Sequence, residues 1–231
     1  YLDNKHLKIT VEDTLYKATL YETPILAIVS EVRNKWLKNK VSEDYVIKKL
    51  EDKVLLSNQH QLKFSEFGMR RRFSYRVQDI VCKYLKNHAT YCTGTSNVHM
   101  AMRHNMKIIG THPHEWFMFH GAQFGYKQAN YMALENWVNV YDGDLGIALS
   151  DTYTTNVFLR SFSRKHAKLF DGVRHDSGDP YIFVNKVINR YKELGIDPTT
   201  KTIIFSNALD FETYKEISEF CGNRIRCAAG I

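Results

Sequence analysis

From residue 62 onward the sequence alternates short apolar runs with longer stretches of helical periodicity, and no other feature limits the fold so tightly. Leu62-Lys-Phe-Ser-Glu-Phe67 alternates as a strand and stops at Gly68, after which Phe73, Val77, Ile80, Val81 and Leu85 share one helical face. Lys107-Ile-Ile109 reads as a short strand before Gly110, Leu145–Ser150 as a buried strand ending at Asp151, and Gly172-Val173 as part of another. Asp179 is a natural N-cap, with Pro180 at the first helical position and Gly195 just past the end; Phe183, Val184, Val187, Ile188, Tyr191 and Leu194 line the face between. A strand over 201–205, a helix over 210–221 closed by Gly222, and a strand over 224–228 complete the series. Such alternation predicts parallel β/α construction, as a barrel or an open doubly wound sheet. In either, chemistry gathers at the carboxyl ends of the strands. Gly68–Arg72, Gly110–His114, Asp151, Arg174–Asp179 and Ser206–Asn207 each follow an expected strand directly, so polar segments recur at successive strand ends.

The first sixty residues are less regular. Leu7-Lys-Ile-Thr-Val11 alternates like a strand, Pro24 sits where a helix could begin, and Val46, Ile47, Leu50, Val54 and Leu55 make 41–61 a charged helix plus linker. The 231 residues suffice for one large domain or a main domain with a small appendage, and 44% hydrophobic with 25% charged residues argues against disorder. The longest apolar run, Pro24–Ser30, stops at Glu31, well short of the roughly 20 residues that span a bilayer, so no membrane partner is expected. Neither a signal-peptide pattern nor a starting Met is present, and both ends read as cut from a longer chain. Cys82, Cys92, Cys221 and Cys227 have no zinc or disulfide spacing, which suits reduced thiols in a cytoplasmic protein. The net charge of +7 is spread along the chain, with Arg70-Arg71-Arg72 the only tight cluster. Without an accompanying nucleic-acid motif, no nucleic-acid partner is expected, and a small phosphorylated anion suits the cluster better.

Three segments could carry chemistry. In Glu66-Phe-Gly-Met-Arg-Arg-Arg72, Arg70 could grip phosphate or carboxylate through two parallel charge-assisted bonds, and Phe67 could stack on a flat ring; a solvated basic first helical turn fits the same residues. Gly110-Thr-His-Pro-His-Glu-Trp116 opens an apolar helix, with Thr111 as its cap and His114 among the free backbone N–H groups of the helix start. That position is hostile to a cation and welcomes an anion, which suits a ring that attacks phosphorus and then carries a phosphoryl group. A structural histidine remains the alternative, and His112, His114 and His120 lack zinc spacing. In Val173-Arg-His-Asp-Ser-Gly-Asp-Pro180, Asp176 and Asp179 could bind ribose hydroxyls or Mg²⁺ held by a pyrophosphate, although Asp179 has the competing duty of N-cap. Asp151, at the end of a buried strand, needs a partner.

The strings Glu66-Phe-Gly-Met-Arg-Arg-Arg-Phe73, Gly94-Thr-Ser-Asn97, Gly110-Thr-His-Pro-His-Glu-Trp-Phe117, Leu145-Gly-Ile-Ala-Leu-Ser-Asp151 and Arg174-His-Asp-Ser-Gly-Asp-Pro180 occur in the order seen in nicotinate phosphoribosyltransferases. From about Thr23 to Ile231 the chain resembles that family. The resemblance implies an irregular phosphoribosyltransferase-type α/β barrel, incomplete here, over residues 21–231, with residues 1–20 the tail of an N-terminal sandwich domain. It implies an enzyme that condenses nicotinate with phosphoribosyl pyrophosphate in NAD biosynthesis, using Mg²⁺, coupled to ATP hydrolysis through a phosphohistidine at His114. Catalysis would fall to His114, Asp151 and Asp176, with Asp151 and Asp176 also the Mg²⁺ ligands. Substrate binding would fall to Phe67, Arg70, Ser96, Arg174 and Asn207, in a homodimer. Related nicotinamide enzymes carry Asp where this chain has Ser96; a hydroxyl there favours the acid substrate, since a carboxylate would repel it. Two departures stand out: the family's Gly-Thr phosphate loop, expected after Ile231, and most of the sandwich domain are not in this sequence. Rival readings are a nicotinamide or quinolinate phosphoribosyltransferase, or a catalytically inactive nucleotide-binding barrel fragment.

Overall fold

The computed structural model describes residues 2–3 and 6–231, with side chains from residue 6. β1 (Leu2–Asp3) and β2 (His6–Leu7) pair antiparallel ahead of two helices, α1 (Leu15–Trp36) and α2 (Glu43–Gln59). Next come β3 (Phe64–Glu66), α3 (Tyr75–His88), β4 (Cys92–Thr95) and α4 (Val98–His104). A helical pair, α5 (His114–Phe124) and α6 (Tyr126–Tyr141), precedes β5 (Ile147–Leu149), α7 (Thr155–Ser161) and α8 (Arg164–Leu169). The chain then runs through β6 (Gly172–His175), α9 (Pro180–Glu193), β7 (Thr202–Phe205), α10 (Phe211–Cys221) and β8 (Arg226–Gly230).

Six strands form one sheet in the order β4-β3-β8-β7-β6-β5, and every neighbouring pair is parallel. The last strand returns beside the first, with Phe64 opposite Ala229 and Ser65 opposite Gly230. The edges β4 and β5 do not pair, so the sheet is an incomplete barrel, as the family resemblance implies. Phe64, Leu149, Val173, Ile203, Phe205 and Ala229 of the strands are buried together with Phe183, Val184, Val187 and Tyr191 of α9 and Tyr214 and Ile217 of α10. Burial of each large apolar side chain contributes roughly 1.5–3 kcal/mol. Short polar residues set the helix starts: Ser74 accepts from the amide of Val77, Asp179 from Ile182 and Asp210 from Thr213, each cap worth about 1 kcal/mol.

Some expectations fail for identifiable reasons. The strand expected over Leu7–Val11 shrinks to His6–Leu7, because Leu7, Ile9 and Val11 are all exposed and the alternating face has no layer to cover it. Of the expected sandwich tail, residues 1, 4 and 5 lie outside the described residues. Pro24 does not begin a helix; it lies inside α1, which is docked on the segment after β3 by Ser30 and Asn34 donating to the carbonyls of Arg72 and Phe73. Lys107–Ile109 makes only the single bridge Thr95–Ile108 rather than a strand. Thr111 does not cap α5, whose N-cap is Pro113. The loops at the carboxyl ends nonetheless converge as parallel construction requires.

Candidate active site

A cavity of about 570 Å³ opens at the carboxyl ends of the strands. Phe67, Arg70, Ser96, His114, Arg174 and Asp176 all line it, so loops more than a hundred residues apart in sequence meet around one space. Asp151 stands at the junction with a second cleft of about 620 Å³, which it shares with His114, Met118, Tyr126 and Tyr153. Asn207 is exposed and does not line the main cavity; its neighbours Ser206, Ala208 and Leu209 do.

Arg174 organises the deep side. Leaving the end of β6, its Nε donates to Ser206 Oγ (2.7 Å), Nη1 to Thr111 Oγ1 (2.9 Å) and the His112 carbonyl (3.4 Å), and Nη2 to Asp176 Oδ1 (2.7 Å). Four of the five guanidinium N–H groups are thereby engaged within the protein. Ser206 Oγ also lies 2.6 Å from Asp176 Oδ1. Burial pushes the Asp176 carboxyl up, but the Ser206 hydroxyl, the Arg174 guanidinium and His114 outweigh it and hold the group below its ordinary value.

His114 is the first residue of α5 and faces two carboxylates. Its Nε2 lies 3.2 Å from Asp151 Oδ1 and 3.6 Å from Asp176 Oδ2, while Ser177 Oγ donates to the other Asp151 oxygen at 2.6 Å. The buried-strand carboxylate thus has its partners. His112, two residues earlier, is fully buried against Trp137 and Phe170; burial, and then the Arg174 guanidinium, push its imidazole down to about 3. It is a wall of the site rather than a titrating group at neutral pH.

The β3 side is more open. Phe67 packs on Gly230 so closely that a Cβ there would lie 2.4 Å from the ring, which explains why β8 ends on a glycine. A 3-10 turn over Met69–Arg71 presents Arg70 and Arg71 to the cavity, and Arg70 pairs with Glu22 of α1 at 3.0 Å. Arg72 points away to Glu31 and Gln78, so only two of the clustered arginines belong to the site. Thr111 and Ser206 are the residues that sequence reasoning undervalued. Ser206 directly follows a strand, a signal that was available; nothing in the sequence says that Thr111 meets a guanidinium 63 residues away.

One ligand atom each from His114, Asp151 and Asp176 lies within 4.8 Å of the others. Two carboxylates on one side of a cavity suit Mg²⁺, which favours hard oxygen ligands and takes few from protein when a substrate polyphosphate supplies the rest.

Comparison with known proteins points to one family. Residues 62–231 match the model of the nicotinate phosphoribosyltransferase (NAPRTase) family. Over 230 residues the chain is 51% identical to a nicotinate phosphoribosyltransferase of Chromohalobacter salexigens, and it spans 98% of its own length but 59% of that relative. A second, from Desulforapulum autotrophicum, is 42% identical with the same 59% share. Among solved structures it is similar to a nicotinate phosphoribosyltransferase from Porphyromonas gingivalis, with a TM-score of 0.93 at 51% identity over 95% of this chain and 57% of that one. The corresponding values for the Vibrio cholerae protein are 0.86 and 43%, over 92% of this chain and 52% of that one.

Proposed function

The chain belongs to the nicotinate phosphoribosyltransferase family, and on that premise we propose that its full-length protein is an enzyme joining nicotinate to phosphoribosyl pyrophosphate, releasing pyrophosphate and forming nicotinate mononucleotide for NAD salvage. The observation that carries this reading is the meeting of Phe67, Arg70, Ser96, His114, Arg174 and Asp176 around one cavity.

The chemistry asks for charge stabilisation rather than a covalent nucleophile. The pyridine nitrogen attacks the anomeric carbon as its bond to pyrophosphate breaks, and the leaving group keeps the bonding pair. Positive character grows on the ribose and negative character on the departing oxygens. A site already fixed in place stabilises both without reorganising. Phe67 would stack on the pyridine, and Arg70 would hold the nicotinate carboxylate or phosphate oxygens. Arg174 would keep one N–H for substrate while its other donors fix Asp176 and the loop before His114. Asp176 and Asp151 would face the ribose hydroxyls, and Asn207 would meet substrate from the rim. Where Mg²⁺ binds, Asp151 and Asp176 would hold it, and it would neutralise charge on the pyrophosphate.

His114 would couple the reaction to ATP. With Asp151 accepting from Nε2–H, the Nδ1 lone pair is left free to attack the γ-phosphorus, and ADP departs. The phosphoryl group would then sit at the start of α5, where backbone N–H groups favour an anion. A cytoplasmic homodimer completes the proposal; among the described residues no helix is long and apolar enough to cross a membrane. The test uses full-length protein incubated with ATP labelled on its γ-phosphate. Acid-labile label that depends on His114, and is lost in His114→Ala, supports the coupling; label that persists in the variant overturns it.

A further inference from the structure

Glu66 ends β3 one residue before the aromatic wall of the cavity, yet its side chain does not line that cavity. The residue is 5% exposed, and among the described residues no cation pairs with its carboxylate. Every donor it receives is neutral. The Gly68 amide donates to Oε1 at 2.7 Å and Gln78 Nε2 to the same atom at 3.4 Å; the Thr95 hydroxyl donates to Oε2 at 2.5 Å, with the Cys82 thiol 3.9 Å away. The backbone adds a further tie, from the Ser96 amide to the Glu66 carbonyl at 2.9 Å.

A buried carboxylate without a cation is costly, so its place calls for an explanation beyond packing. What it joins is specific. Gly68 begins the 3-10 turn that presents Arg70 and Arg71, and Thr95 precedes Ser96 on the neighbouring strand end. Gly68 is also the residue that leaves room for this contact, because a Cβ there would stand 2.8 Å from Oε1. The pair Glu66 and Gly68 is therefore matched in shape as well as in hydrogen bonding.

We propose that Glu66 is a positioning residue for the nicotinate end of the site: its carboxylate locks the Phe67–Arg71 wall to the Thr95-Ser96 wall. This rests on the reading that those two walls receive nicotinate. The Arg174 and Asp176 side, which would hold the phosphoribosyl donor, is fixed by a separate set of bonds. Loss of Glu66 accordingly shifts one substrate and spares the other, which a general packing defect would not do.

The experiment is a two-substrate kinetic analysis of the full-length protein and of Glu66→Gln, Gly68→Ala and Thr95→Val. Glu66→Gln keeps an acceptor for the Gly68 amide but presents a donor to Thr95. Gly68→Ala keeps the charge and displaces it. Each variant is expected to raise KM for nicotinate about tenfold, with kcat and KM for phosphoribosyl pyrophosphate within about threefold of the parent. Unchanged nicotinate KM in soluble, folded variants overturns the proposal, and so does a fall in kcat with both KM values intact. If none of the three variants folds, the role is structural and the proposal fails as well. A parent protein that makes no nicotinate mononucleotide refutes the proposed function instead, so the two failures are distinguishable.

Discussion

The two sides of the cavity use the same chemical group in opposite ways. Arg174, 13% exposed, is held by Thr111, Asp176 and Ser206 and by a backbone carbonyl, whereas Arg70, 49% exposed, is ion-paired with Glu22. A buried pair of the first kind is costly to break, about 3–5 kcal/mol, because the surviving charge is stranded; an exposed pair of the second kind is worth about 0–1 kcal/mol. The contrast separates two tasks. On the proposed function, one side would be fixed before substrate arrives, and the other would exchange a weak internal contact for an entering anion.

Substitutions that strip the fixed side break this contrast most severely. Asp176→Ala strands Arg174 and removes a carboxylate facing His114; kcat/KM is expected to fall about a thousandfold or more, with a lowered midpoint of thermal unfolding. Steady-state rates and a melting curve read both effects. On the wall opposite, Ser96→Asp places a carboxylate where nicotinate would bring its own, and the cost to nicotinate kcat/KM is expected to be ten- to a hundredfold, about 1.4–2.8 kcal/mol. Unchanged nicotinate kinetics would remove Ser96 from the specificity argument.

Acid sharpens the comparison from another direction. Burial holds His112 down at about 3, and burial also lowers His166 and His175, against the opposing pull of neighbouring carboxylates. All three would gain protons more readily in the unfolded chain. Stability is therefore full above about pH 6.5 and is lost as pH falls toward the folded values, by up to several kcal/mol over that window. Asp176, with its folded value lowered, adds a loss in the same direction but only below about pH 4. His112→Phe should flatten the slope of unfolding free energy between pH 6.5 and 4.5, as followed by urea denaturation; an unchanged slope contradicts it. The smallest effect on stability belongs to Arg70→Ala, which should stay within about 0.5 kcal/mol of the parent, while KM for nicotinate should rise about tenfold or more. A large loss of stability there would erase the distinction between the two sides.

Much of this was legible in sequence because it follows from local rules. The cap at Asp179, the apolar face of α9 and the Gly stops come from chemistry within a few residues. Parallel construction then dictated that Arg70, His114, Arg174 and Asp176 would meet at one end of the sheet. The failures share a cause too. Leu7–Val11 has strand alternation but no neighbour among the described residues to bury it, and Pro24, read as a helix start, lies inside a helix that Ser30 and Asn34 dock on the segment after β3. Thr111 looks like a cap until Arg174 claims its hydroxyl. Asn207 carries the more specific side chain, yet alternation at the end of β7 leaves Ser206 as the one bonded to the network. Partners chosen across the fold leave no trace in spacing.

The most direct measurement is product formation by the full-length protein, supplied with phosphoribosyl pyrophosphate, Mg²⁺ and ATP, and with nicotinate or nicotinamide in parallel. The account predicts nicotinate mononucleotide with release of pyrophosphate, and little or no product from nicotinamide. Equal or preferential use of nicotinamide, or no mononucleotide from either base, would contradict it.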